Sequence, residues 1–158
     1  MKYSRFEELP VWQAAVELAV RTYELTSNRA FLRQRSLRDQ LERAAVSISN
    51  NIAEGFERGT TQELITFLYI ARGSAGEVRS MLCLLERLAA FKHLKSQISN
   101  LKSASEEISR QLRGWADFLQ NNPLKGQRYL TQATRQLTKA RQEREEFLEE
   151  VQRVQRRN

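Results

Sequence analysis

Residues 40–85, QLERAAVSISNNIAEGFERGTTQELITFLYIARGSAGEVRSMLCLL, decide the fold class. Leu41, Ala44, Ala45, Ile48, Ile52 and Phe56 recur at intervals of three and four, which puts them on one face of a helix. Gly59 breaks the pattern, and Thr60 with Glu63 is a capping box that opens the next helix. In that helix Leu64, Ile65, Phe67, Leu68, Tyr69, Ile70 and Ala71 are nearly continuous, and Met81 to Leu85 is unbroken. One buried stripe cannot hold them all, and a helix apolar most of the way round is covered on more than one side. In a bundle this small the second cover is expected to be another subunit, so the pattern predicts a homo-oligomer.

Outward from this pair the helical periodicity continues. Pro10 is a good first helical position, and Trp12, Ala15, Val16, Ala19 and Tyr23 give a helix to about Thr26 its apolar face. Residues 27–35 read as a connection whose Phe31 and Leu32 are expected to fold back onto the core. Ser36 followed by Asp39 reads as the N-cap of the second helix, which also turns Leu37 inward. A fourth helix is predicted over residues 95–120, with Leu94, Ile98, Leu101, Ile108, Leu112, Trp115 and Leu119 on one stripe. Between Pro10 and Pro123 there is no proline, and strong helix formers dominate. The fold class is therefore all-α. Residues 1–122 form the expected four-helix domain, and residues 123–158 a charged C-terminal helical extension. There Leu130, Ala133, Leu137, Ala140, Arg144, Phe147, Val151 and Val154 alternate spacings of three and four, a weak coiled-coil seam.

Several classes of chemistry find no support. The lone Cys83 cannot make an internal disulfide, and within Met-Leu-Cys-Leu-Leu it reads as a small hydrophobe. His93 has no glutamate in register for a di-metal bundle site. No glycine-rich phosphate loop is present. No catalytic residue, metal or cofactor is expected. The charged N-terminus and the lack of a long apolar run predict a soluble, cytoplasmic protein without membrane contact.

Charge points elsewhere. There are 26 basic against 19 acidic residues, a formal net charge of +7. Most of the bases are arginine, whose planar fork suits phosphate, although arginine also serves salt-bridged helical surfaces. Candidate nucleic-acid contacts are Arg33, Arg35 and Arg38 near the start of the second helix, with Lys95, Lys102, Arg110 and Arg113 along the fourth. Few aromatics are interleaved with them, so recognition is expected through backbone phosphates. Arg72, Gly73, Ser74, Gly76 and Arg79 are assigned to an oligomer interface or to close helix packing. Glycine inside a helix costs about 1 kcal/mol against alanine, and close backbone approach would explain the pair. Asn50, Asn51 and Glu54 have two readings: caps around a turn at Gly55, or a polar network that sets helix register.

The combination Gln40, Arg43, Ala44, Ser47, Asn51-Ile52-Ala53-Glu54-Gly55, Phe67-Leu68, Ile70-Ala71-Arg72-Gly73-Ser74 and Glu77 resembles the 23S rRNA intervening-sequence proteins. Phe6, Leu9, Val11-Trp12 and Ala15 resemble that family's opening. The resemblance covers about residues 5–90 and does not reach the C-terminal extension. It implies an antiparallel up-and-down four-helix bundle that assembles into a pentamer. A related branch, the accessory variability proteins of diversity-generating retroelements, implies RNA or DNA and a reverse transcriptase as partners. This chain looks closer to the rRNA-insertion branch. The functional expectation is a non-enzymatic, nucleic-acid-binding homo-oligomer; the alternative is a protein-interaction scaffold acting through the C-terminal heptad helix.

Overall fold

A computed structural model describes residues 3–121. Four α-helices run in order: α1 (Pro10–Thr26), α2 (Arg35–Glu57), α3 (Thr61–Arg87) and α4 (Lys95–Asn121). Short 3-10 turns at Phe6–Glu8, Arg29–Arg33 and Ala89–Leu94 lead into or join them, and no strand occurs among the described residues. Each helix packs on its neighbours in sequence, and α4 closes back onto α1. Contacts across the helix pairs show their direction. Gly55 faces Phe67 and Ser47 faces Ser74, while Glu86 meets Lys102 and Tyr69 meets Gln120. Rising numbers on one helix meet falling numbers on the next, so neighbours are antiparallel. The result is an up-and-down four-helix bundle.

The core follows the heptad logic of such bundles. On α3 the buried residues Leu64, Leu68, Ala71, Ala75, Val78, Leu82 and Leu85 alternate spacings of four and three. The facing stripe of α4 is Ile98, Leu101, Ser105, Ile108, Leu112, Ala116 and Leu119, all buried. Ser105 is tolerated there because its hydroxyl donates to the Ala75 carbonyl at 2.7 Å, so no buried polar group is orphaned. Trp115, placed on the core stripe by periodicity, is half-buried and packs against the core's edge.

Local signals mostly hold. Pro10 opens α1, and the Thr60 hydroxyl accepts the Glu63 N–H at 3.2 Å at the start of α3. The Ser36 cap does not form. The turn Arg29–Arg33 runs straight into α2, with the Gln34 N–H on the Phe31 carbonyl and the Arg38 N–H on that of Gln34. The cap that is used lies earlier, where Asn28 Oδ1 accepts the Ala30 N–H at 3.0 Å. Phe31 reaches the core and stacks edge-on against Phe91, ring centroids 4.7 Å apart, but Leu32 points outward. Three residues per 3-10 turn cannot send consecutive side chains inward together.

The glycines also sort differently from expectation. An added Cβ at Gly73 or Gly76 would meet no atom within 4 Å, so neither permits close packing inside the subunit. Gly55 does: a Cβ there would lie 2.6 Å from Phe67 Cβ. Close to it the network reading of the polar residues holds in part. Asn51 donates to the Ser47 carbonyl and hydroxyl at 2.7 and 3.0 Å, and the Ser47 and Ser74 hydroxyls meet at 2.9 Å between α2 and α3. Asn50 is exposed, and Glu54 pairs with Arg58 at 2.6 Å.

Among the described residues no helix is long and apolar enough to cross a membrane. The heptad seam assigned to residues 123–158 lies outside the described residues.

Candidate nucleic-acid interface

An up-and-down bundle brings its first and third connections to the same end. Here the two 3-10 turns touch through Phe31 and Phe91, and His93 Nε2 lies 3.4 Å from Asn28 Oδ1. Residues 28–38 contribute Arg29, Arg33, Arg35 and Arg38 to this end, and residues 87–95 contribute Arg87, Lys92 and Lys95. Neither segment contains an acid. All of these bases are exposed.

Their partners are few. Arg38 Nε binds Glu42 Oε1 at 2.9 Å, and the same buried oxygen accepts the Thr26 hydroxyl at 2.5 Å. The other six form no ion pair with a described residue. The helix ends themselves add little net potential, because the C-termini of α1 and α3 lie at the same end as the N-termini of α2 and α4; the positive charge is that of the side chains. Arg35 and Lys95 are the first residues of α2 and α4, and neither helix has an acid in its first turn. A helix N-terminus favours anions, and a misplaced charge there costs about 0.3–1 kcal/mol when exposed. Two bases at two N-termini work against folding in isolation, and a bound anion would relieve both.

The structure therefore unites four of the residues singled out from sequence, Arg33, Arg35, Arg38 and Lys95. It separates the other three from them. Lys102 is half-buried and held by Glu86 at 2.6 Å, and that hydrogen bond raises the affinity of its ammonium for its proton above the ordinary lysine value. Arg110 lies 15 residues beyond Lys95, roughly 22 Å along the helix. It is paired with Glu107 and, at 3.9 Å, with Glu106, while Arg113 lies 3.5 Å from Asp117. Such intrahelical pairs leave little net field for a phosphate. Arg29, Arg87 and Lys92 were not singled out from sequence. The acid-free windows containing them were readable, but only the meeting of the two turns makes them one surface.

A second feature lies on the bundle's sides. α1 exposes Val20 and Tyr23, and α3 exposes Tyr69, Ile70 and Leu84. Gly73 and Gly76 open onto the outer side of α3, while Ser74 faces α2. Arg72 is half-buried and Arg79 exposed, and neither forms an ion pair with a described residue. Among the described residues no group of three or more His, Cys, Asp or Glu could hold a metal ion.

Comparison with known proteins adds a family. Residues 7–114 match the family described as 23S rRNA-intervening sequence protein. The bundle is similar to the crystal structure of a protein with unknown function from the S23 ribosomal protein family of Bacteroides thetaiotaomicron VPI-5482. Identity is 26% and the TM-score 0.60, over 67% of this chain and 97% of that one. No curated protein matches.

Proposed function

This chain belongs to the 23S rRNA-intervening sequence protein family, and on that premise we propose a non-enzymatic homo-oligomer that binds RNA or DNA through backbone phosphates. The observation that carries this reading is the pair of acid-free segments, residues 28–38 and 87–95, that meet at one end of the bundle and present six bases without an ion-pair partner among the described residues. Arginine predominates there, which suits bidentate contact with phosphate. Such an exposed basic surface is a platform for a polyanion.

Self-association is supported by the exposed apolar faces. α1 and α3 stand diagonally across the bundle, and each presents large apolar side chains outward. Two different faces on opposite sides of a subunit suit a head-to-tail contact, which closes into a ring when the rotation allows. Five copies is the number implied by the family resemblance. A ring would repeat the basic end around its axis, so modest contacts per subunit add as avidity.

The test is binding of nuclease-treated protein to RNA and DNA probes across a salt series, with the mass of the assembly measured in parallel. The affinity is expected to fall linearly on log–log axes. Each phosphate contact contributes a slope of about −0.7 on single strands and −0.9 on duplex DNA. Replacing Arg33, Arg35 and Lys95 by alanine should flatten the slope, whereas replacing Arg110 and Arg113 should change it little. Absence of binding at low salt by an intact oligomer would overturn the proposal.

A further inference from the structure

Leu32 is the most exposed large hydrophobic residue among those described, at 67%, and it sits inside the basic end. Its position is held firmly. Asn28 caps the turn through the Ala30 N–H, the Gln34 N–H closes onto the Phe31 carbonyl, and the Phe31 ring is locked against Phe91. With Phe31 turned inward, the 3-10 geometry sends Leu32 outward, in a segment that also carries the exposed Arg29, Arg33 and Arg35. The core does not use this side chain, and a polar residue would serve the turn equally well. An exposed apolar side chain in a short segment of exposed arginines fits a partner that offers anionic groups and an apolar surface side by side.

Nucleic acid has both, but continuous duplex hides the second. In A-form RNA the base faces are stacked away and the major groove is too deep and narrow for the broad tip of a bundle. Inserting an apolar side chain into a duplex requires opening a base step. In single strands, loops and bulges the faces are free while the phosphates remain. We infer that Leu32 packs on the face of an unpaired base while the neighbouring arginines hold its phosphates, so that this end prefers single-stranded or looped nucleic acid to continuous duplex. The inference rests on the nucleic-acid reading above and adds to it a selectivity for structure without selectivity for sequence.

The full-length protein would be titrated with a labelled single-stranded RNA, the same strand in perfect duplex, and vesicles containing phosphatidylglycerol. The wild type is expected to bind the single strand about three- to fivefold more tightly than the duplex, at or below the smallest gain that an aromatic side chain makes by stacking on a base. Leu32→Ser should remove that preference, leaving duplex affinity, the salt slope and the assembly mass unchanged. Leu32→Phe should retain it. Equal binding of both RNAs, unaffected by Leu32→Ser, would overturn this inference and leave the phosphate-binding reading standing. No binding to either RNA would overturn both. Vesicle binding that depends on Leu32, with RNA binding indifferent to it, would assign the side chain to a membrane surface. A fall in mass on Leu32→Ser would assign it to a contact between copies.

Discussion

Replacing Gly55 by alanine tests the packing that sets the α2–α3 spacing. The added Cβ would stand 2.6 Å from Phe67 Cβ, with Leu64 Cδ1 at 3.3 Å and the Leu64 carbonyl oxygen at 3.4 Å. Carbon atoms rest about 3.5–4.0 Å apart, so the first contact is short by roughly 1 Å. Phe67 Cβ is fixed to the α3 backbone and cannot swing aside. Either the helices separate locally, or the last turn of α2 distorts. Overpacking of this kind costs about 1–3 kcal/mol, and alanine returns about 1 kcal/mol of helix propensity. The flanking Leu64 contacts are tight as well, so the expected net loss is about 1–2 kcal/mol. At about 4 °C per kcal/mol for a domain of this size, Tm should fall by about 4–8 °C. Thermal unfolding followed by circular dichroism would measure it. Gly114 is the control, because a Cβ there meets nothing within 4 Å. Gly114→Ala should raise stability by up to about 1 kcal/mol. A Gly55→Ala protein as stable as wild type, beside a stabilised Gly114→Ala protein, would refute the reasoning.

Thr60→Ala removes the hydroxyl that accepts the Glu63 N–H and should cost about 1 kcal/mol in urea unfolding, whereas Thr60→Ser should cost little. Hydrogen bonds from Arg110 and then Gln111 hold the Glu107 carboxyl below the ordinary glutamate value. A depressed folded-state pKa means that the ion pair contributes fully above the unfolded glutamate value and is lost only as pH falls through the folded one. Carboxyl NMR titration should therefore find Glu107 titrating low, and Arg110→Gln should move its midpoint upward.

The sequence alone determined the elements of this fold. Apolar spacing of three and four, the Pro10 start and the Thr60–Glu63 box are signals carried within a few residues of one another, and α1, α3 and α4 begin where those signals stand. The same locality explains the Ser36 error. A cap competes with whatever the preceding turn does, and that turn is shaped by Phe31 docking on Phe91, sixty residues away in sequence. Glycine is the clearest divide. Gly55, Gly73 and Gly76 look alike as letters within helical segments, yet one faces a backbone-fixed carbon and the others face open space. Which neighbour lies opposite is a property of two packed helices, not of one. For the basic end, the charges were legible but their grouping was not. Arg33 and Lys95 belong to one surface because antiparallel packing brings the first and third connections together, whereas Lys95 and Arg110, on one helix, are kept apart by its length.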